Sequence, residues 1–352
     1  MTVEEAVKLV KEPDGTAALE AALRWDKVAK PLNSLGELEK DIIRIAGAQG
    51  SSRISIGRKA IAVMCADNGI VREGVTQTGQ EVTAIVAGNM AAGRSCVCIM
   101  ATQAGADVIP VDVGMASKTP VEGVLMRRVA DGTRSFLEGP AMSREEAVQA
   151  IETGIALAVE LKSQGYELAG SGEMGIGNTT TSSAVLSVLL DAEPEAVTGR
   201  GAGLTTEGYR RKIRVIKEGL ALHRPDRRDP VDVLSKVGGL DLAALAGFYV
   251  GCGLCRLPVV LDGLITGAAA LAAAGLCPNV KGYLLASHRS AEPAGGLVLD
   301  ALGLTPVIQA GMCLGEGTGA AACFPLLDMA AAVYGQMSSF EEIHVEQYEH
   351  LA

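Results

Sequence analysis

Tyr166-Glu-Leu-Ala169, followed by Gly170-Ser-Gly-Glu-Met-Gly-Ile-Gly-Asn-Thr-Thr180, decides the fold, because a short apolar run leads into a glycine-rich loop and then a helical pattern. Similar runs recur along the chain between longer helical patterns, at Lys59–Ala66, Ala106–Val113, Pro258–Leu261, Gly282–Ala286 and Thr305–Ile308. Strands that alternate with helices indicate βαβ units. The sequence therefore predicts an α/β fold with a mainly parallel sheet and flanking helices.

Polar or glycine-rich clusters follow nearly every one of these strands. They are Asp67-Asn68-Gly69, Asp112-Val113-Gly114, Gly170–Thr180, Asp262-Gly263 and Ser287-His288-Arg289-Ser290. In open α/β sheets, ligands bind beyond the carboxyl ends of the strands. We therefore expect these clusters to converge on one cleft.

Two kinds of pattern predict helices. Ser34/Glu37 and Ser143/Glu146 have the spacing of capping boxes, which mark helix starts. The longest apolar run, Gly263 to Cys277, is too short for the roughly 20 residues that span a bilayer, so we predict a buried helix there.

Composition limits the possible functions. The 352 residues are 48% apolar and 20% charged, which suits a globular α/β protein, and the net charge of −10 argues against binding nucleic acid or an anionic membrane. An acidic start, Glu4-Glu5, lacks the features of a signal peptide, so we expect a cytoplasmic protein. Cys252-Gly-Leu-Cys255 matches a metal or redox spacing, but it lies in an apolar run without a second pair, and we expect no metal.

Leu314-Gly315-Glu316-Gly317-Thr318-Gly319 sets one carboxylate among glycines at the head of an apolar stretch. Glycine lets a ligand approach the backbone closely. Apolar neighbours raise the pKa of a carboxyl toward a value useful for a general base. Glu316 is therefore the first candidate for the base and Glu173 the second; the alternative is a glutamate that only stabilises a helix N-terminus.

The glycine-rich loop offers backbone amides and hydroxyls to an anion such as phosphate, in particular at Gly175, Gly177, Asn178, Thr179 and Thr180. Gly201, in Gly199-Arg-Gly-Ala-Gly203, and Lys212 on the next helical pattern add an amide and a cation. Two alternatives stay open. Gly170–Gly175 also fits a dinucleotide fingerprint with Asp191 as its acid, and Lys212 fits a solvated helix face.

Longer motifs carry a family resemblance. In chain order they are Pro31–Gly36, Met64–Ile70, Gly139–Ser143, Gly172–Thr180, Leu261–Gly263, Ser287–Glu292 and Leu314–Gly319. Together they resemble nicotinate-nucleotide:dimethylbenzimidazole phosphoribosyltransferases over about residues 15 to 335. The resemblance implies transfer of phosphoribose from nicotinate mononucleotide to the base that becomes the lower ligand of a cobamide, with no metal or organic cofactor.

By position, the resemblance makes Glu316 the general base and places Glu173 and Lys212 in the active site. It implies a Rossmann-like large domain, residues 31–311, and a small helical domain from both chain ends, residues 1–30 and 312–352. It also implies a dimer. The remaining candidates divide between the phosphate or ribose site, with Asp262 and Ser290, and an acceptor-base pocket, with Thr78, Val86, Met174 and Leu314.

Two departures from the family pattern are specific to this chain. Asn68 stands where many members have histidine, and Val86 stands where a glutamine contacts the acceptor base. A pocket without that amide is expected to accept related aromatic bases, including phenols. Two other functions remain as alternatives: a low-activity paralogue that serves as a partner subunit, and a dinucleotide-dependent oxidoreductase.

Overall fold

A computed structural model describes residues 1–350, and its centre is one sheet. The strands are β1 Lys59–Ala66, β2 Ala106–Gly114, β3 Leu125–Met126, β4 Leu168–Met174, β5 Val259–Leu261 and β6 Leu284–Ala286. Their order is β3-β2-β1-β4-β5-β6, and every neighbouring pair is parallel. The strand order reverses between β1 and β4, which is where open sheets of this kind form ligand crevices. The predicted α/β fold with a parallel sheet is confirmed.

Helices cover both faces of the sheet. They are α1 Val3–Leu9, α2 Gly15–Lys27, α3 Glu37–Gln49, α4 Glu81–Ala91, α5 Cys96–Gln103, α6 Arg144–Ser163, α7 Asn178–Leu189, α8 Pro194–Val197, α9 Thr206–His223, α10 Pro230–Val237, α11 Leu240–Leu254, α12 Leu264–Leu276, α13 Gly295–Leu302 and α14 Thr318–Gln336. The α6, α11 and α12 helices belong to one apolar core, and α3, α5 and α14 belong to the other. The predicted buried helix at 263–277 is α12.

Strand β1 explains why the chain needs two cores. All eight of its residues are buried. Ala62 and Met64 belong to one core, whereas Ile61 and Val63 belong to the other. Successive side chains of a strand point to opposite faces, so a central strand covered on both sides must be apolar throughout.

The structure corrects several predicted boundaries. Thr305–Ile308 is not a strand, because only Ile308 forms an isolated bridge, to His288. The Ser143 capping box is present at the start of α6. The Ser34 box is wrong: the N-cap of α3 is Gly36, which has a positive φ of 60° and supplies no side-chain cap. The edge strand β3 was not predicted, because its two residues are too few to show an alternating or apolar pattern.

The two chain ends lie side by side. Val28, after α2, forms an antiparallel bridge with Ser339, after α14, and the Arg24 guanidinium donates to the Tyr334 carbonyl at 2.9 Å. The α14 helix also packs on β4 and β5. Two stretches, Glu81–Gln103 and Thr318–Gln336, have the length and composition of a membrane span; this evidence is weak, because core helices such as the half-buried Thr318–Gln336 share these properties.

Candidate active site

A cleft with about 870 Å³ of empty space, including space open to solvent, lies beyond the carboxyl ends of β4, β5 and β6. Many of the predicted site residues line it: Glu173, Met174, Gly175, Asn178, Thr179, Gly201, Asp262, Ser290, Leu314 and Glu316. Three of the polar clusters therefore converge, as predicted. The clusters at Asp67 and Asp112 do not line the cleft. Their carboxylates bind elsewhere: Asp67 accepts from the Ala116 amide, and Asp112 pairs with Arg128.

The remaining candidates lie around the cleft without lining it. Gly177 caps α7 in a left-handed conformation with φ 96°, and Thr180 is buried within that helix. Lys212 is buried behind Thr179. Val86 is half-buried against the second core, and Thr78 is exposed.

One end of the cleft suits an anion. The N-terminus of α7 has no side-chain cap. The Asn178 and Thr180 amides donate to the Gly175 and Gly177 carbonyls, so among the first three residues of α7 the Thr179 amide is the one left to bind a negative group. Lys212 Nζ, on α9, donates to Thr179 Oγ1 at 2.9 Å, and Lys212 is only 1% exposed. Burial lowers the pKa of Lys212 to about 8, while the charge of Glu292 opposes that shift. Within residues 1–350 no carboxylate forms an ion pair with this ammonium, so a bound phosphate would supply its missing counter-charge.

The other end of the cleft carries Glu316. Its Oε2 is buried and has no hydrogen-bond partner among the described residues. Burial raises the pKa of Glu316, the charge of Asp262 raises it further, and the Val97 amide at the start of α5 opposes both. Met174 and Leu314 line the same cleft and supply apolar surface. The arrangement fits a general base beside an aromatic acceptor.

Asp262 fixes the glycine loop that carries Glu316. Its Oδ2 accepts from the Gly317 amide at 2.9 Å, and its Oδ1 accepts from the Gly319 amide at 2.6 Å. Asn178, predicted to bind phosphate or ribose, donates through Nδ2 to Glu173 Oε2. Asp262 and Asn178 both line the cleft. The Asp262 oxygens and the Asn178 amide, however, already form hydrogen bonds within the protein.

Two residues of the site were not among the candidates selected from the sequence. Asp241, the second residue of α11, is fully buried beneath the β4–α7 loop, and Glu292 lines the cleft near Lys212. His288 belongs to a cluster that was expected at the cleft; it lines the cleft, and its Nδ1 lies 3.0 Å from Ser287 Oγ. A single aspartate in the otherwise apolar run 240–254 was the available signal for Asp241.

The dinucleotide alternative loses its structural basis. That fingerprint requires its glycines in the turn between a strand and a helix. Here Gly170 and Gly172 lie inside β4. A Cβ on Gly172 would lie 2.5 Å from the Glu316 carbonyl oxygen, so this glycine allows the start of α14 to pack on the strand.

The CxxC pair is unsuited to thiolate chemistry. Cys252 and Cys255 lie at the end of α11. Burial raises the pKa of Cys255 to about 11 and that of Cys252 well above its ordinary value. Both groups are therefore neutral thiols at neutral pH.

The protein thus has an α/β fold with a cleft beyond the sheet, the buried Lys212 ammonium near one end of that cleft and the half-buried Glu316 carboxylate at the other. A family model described as Phosphoribosyltransferase matches residues 10–345. The chain belongs to this phosphoribosyltransferase family and is an enzyme.

Known relatives cover nearly the whole chain. Proteins named nicotinate-nucleotide–dimethylbenzimidazole phosphoribosyltransferase from Acetivibrio thermocellus and Ruminiclostridium cellulolyticum are 45% and 44% identical, over 99% and 100% of this chain and 98% and 100% of their own length. The crystal structure of CobT from Thermus thermophilus is 40% identical, with a TM-score of 0.90 over 95% of this chain and 100% of that one.

Proposed function

We propose that this enzyme transfers the phosphoribosyl group of nicotinate mononucleotide to dimethylbenzimidazole or a related aromatic base during cobamide synthesis. The products are an α-riboside phosphate and nicotinate. The names of the relatives support these substrates. The observation that carries the proposal is the placement of a buried, unpartnered carboxylate oxygen of Glu316 and the unpaired Lys212 ammonium around one cleft.

The chemistry needs little more than these groups. The C1′–N bond breaks with its electrons passing to the pyridinium nitrogen, so nicotinate leaves with a neutral ring and needs no acid. The acceptor nitrogen attacks C1′ from the opposite face while Glu316 takes the proton from the other ring nitrogen. Anchoring the phosphate near Lys212 and α7 holds C1′ in line for this displacement, which inverts β to α.

The acceptor range is proposed to extend beyond benzimidazoles. Thr83 of α4 accepts at 3.1 Å from the Ile176 amide in the β4–α7 loop, and Val86 lies one helical turn further along α4. Val86 and Met174 pack against the same core. An apolar side chain at this position supports acceptors with a single polar atom, including phenols that attack through oxygen.

A low-activity paralogue is the less favoured alternative. Glu316, Glu173 and Lys212 are all retained. Each of these half-buried or buried charged groups costs stability. A chain that no longer catalyses the reaction would have no need to keep them.

The assembly is proposed to be a dimer of this chain or of this chain and a paralogue, in the cytoplasm. Ile85 on α4 is 66% exposed and Ile99 on α5 is 60% exposed. Only 33% of the apolar stretch Glu81–Gln103 is buried within the chain. Exposed apolar surface of this extent is typical of an interface. The division into a large domain and a small domain from both chain ends belongs to the same proposal.

The test is to incubate the purified protein with nicotinate mononucleotide and a panel of benzimidazoles, purines and phenols, and to identify products by mass spectrometry. We expect nicotinate and an α-riboside phosphate of dimethylbenzimidazole. Absence of any riboside phosphate, from a folded protein that binds nicotinate mononucleotide, would contradict the proposed activity and favour the partner-subunit alternative.

A further inference from the structure

Three carboxyl groups lie close together at the floor of the cleft. Glu173 is the next-to-last residue of β4 and is 6% exposed, Asp262 follows β5, and Asp241 is the second residue of α11 with no exposed surface. The charges of Asp241 and Asp262 both act on Glu173. Burial raises the pKa of Asp262, while the Gly317 and Gly319 amides and the nearby His288 oppose that shift and favour the ionised carboxylate.

Asp241 lies beneath the substrate cleft and does not line it. Its Oδ1 accepts from the Leu242 amide at 2.9 Å, and its Oδ2 has no hydrogen-bond partner among the described residues. That oxygen is 2.9 Å from the position a Cβ would take on Gly175, and Asn68 Nδ2 is 3.1 Å from the same position. Asn68 and Asp241 therefore meet under the β4–α7 loop, out of reach of a substrate.

Asn178 connects Asp241 to Glu173. Its side-chain amide donates to Glu173 Oε2, and it also interacts with Asp241. The other Glu173 oxygen, Oε1, faces the Gly315 loop, since a Cβ on Gly315 would lie 2.5 Å from it. A proton on Oε1 would thus point toward the loop that carries Glu316.

The balance of interactions favours the neutral form of Glu173. Burial is the largest cause that raises the pKa of Glu173, followed by the charges of Asp241 and Asp262; Asn178 and the Glu316 amide act in the opposite direction. Cys65 on β1 is the remaining titratable group that faces this cluster, and its thiol is neutral because burial raises its pKa. Burial raises the pKa of Asp241 to about 6, while the Leu242 amide, Asn178 and Asn68 act in the opposite direction and favour its ionised form.

We propose that Asp241 is a positioning residue whose negative charge, behind Asn178, keeps Glu173 protonated, so that Glu173 serves the cleft as a hydrogen-bond donor. Asn68 completes the arrangement by facing Asp241 with an amide that carries no charge. A cationic side chain at residue 68 would neutralise Asp241 and release the proton from Glu173.

The first test is Asp241→Asn, which keeps the shape and the contact with the Leu242 amide and removes the charge. Removing a neighbouring negative charge lowers the pKa of Glu173, so the alkaline limb of kcat, measured at saturating nicotinate mononucleotide, should move to lower pH by about 1 unit. The acid limb should stay in place. Asp41→Asn is the matched control, because Asp41 on α3 is also buried with an unpartnered oxygen and should leave both limbs unchanged. An unmoved alkaline limb in folded Asp241→Asn would overturn the proposal.

The kinetic test rests on the proposed function. The second test does not, because it needs neither turnover nor a stable Asp241 variant. Infrared difference spectra of the wild type against Glu173→Gln at pH 7 should show the carbonyl stretch of a protonated carboxylic acid that the variant lacks. Loss of an ionised-carboxylate band in its place would refute the protonation of Glu173, whatever reaction the enzyme catalyses.

Discussion

Glu316 is held in an uncommon backbone conformation. Its φ of 63° lies in the left-handed region, which costs a residue other than glycine on the order of 1 kcal/mol. Glycines on both sides adopt φ of 92° and 94°, and Asp262 binds the amides of Gly317 and Gly319. The loop therefore holds the backbone from which the Glu316 side chain projects.

Glu316→Gln should preserve the fold and the binding of nicotinate mononucleotide, because the amide has the same shape. It should lower kcat by roughly 10²–10⁴-fold, the usual contribution of a general base. Since burial raises the pKa of Glu316, wild-type activity should fall as the pH drops through that raised value, and the variant's residual activity should lack this limb. Isothermal titration and pH–rate profiles measure both effects. A variant with nearly normal kcat would show that Glu316 is structural.

Lys212→Met should chiefly weaken binding of the phosphate-bearing substrate, by about 1.5–3 kcal/mol for a charge-assisted hydrogen bond. Nicotinate riboside, which lacks the phosphate, should be affected much less. In the wild type, kcat/KM for the nucleotide should decline above a pH of about 8, because the free enzyme then loses the Lys212 charge. Lys217→Met on the exposed side of α9 is the control. Equal losses for both substrates would place Lys212 outside the phosphate site.

At the scale of elements, α4 carries the prediction about the acceptor, because Val86 lies on it. Val86→Gln introduces an amide one turn from Thr83, which already contacts the β4–α7 loop. The ratio of kcat/KM for dimethylbenzimidazole over a phenol should rise, because a buried amide left unpaired by the phenol costs binding energy. Ala84→Gln, on the same helix and half-buried, is the control for helix substitution. Competition assays with both acceptors give the ratio directly. An unchanged ratio, or no phenolic product from either enzyme, would contradict this role for Val86.

The contact between β4 and α14 shows why glycines are hard to interpret from sequence. Gly170 and Gly172 looked like part of a phosphate loop, but a Cβ on Gly170 would lie 2.9 Å from the Ala320 side chain. Both residues are small because a helix lies against the strand. The proposed phosphate site therefore rests on the part of the motif after Gly175, at the start of α7, where Lys212 donates to Thr179.

At the scale of the whole molecule, the apolar surface of α4 and α5 carries the prediction of a dimer. Ile85→Glu combined with Ile99→Glu should convert the wild-type dimer to a monomer, because two charges would have to be buried in the interface. Sedimentation equilibrium measures the mass. Leu19→Glu with Leu23→Glu, on the exposed face of α2, is the control and should remain dimeric. A wild-type monomer would contradict the proposed assembly.

The pattern of residues along the chain was sufficient to predict the parallel sheet and most of the cleft. Uninterrupted apolar runs such as β1 are characteristic of strands buried on both faces, and the polar residues after β4, β5 and β6 mark one edge. Glu316 could be selected from sequence because its glycine neighbours and apolar context are local properties.

Only the tertiary structure decided how the charged groups are paired. Asn178 turned out to donate to Glu173 with Asp241 close by, and Asp262 to bind the glycine loop, because α7, α11 and α14 converge from segments far apart in the chain. The pKa values of Lys212 and Glu173 likewise depend on burial and on charges from other elements. Local sequence determines which residues can form strands, helices and loops, whereas the energy of a buried charge depends on every group that surrounds it in space.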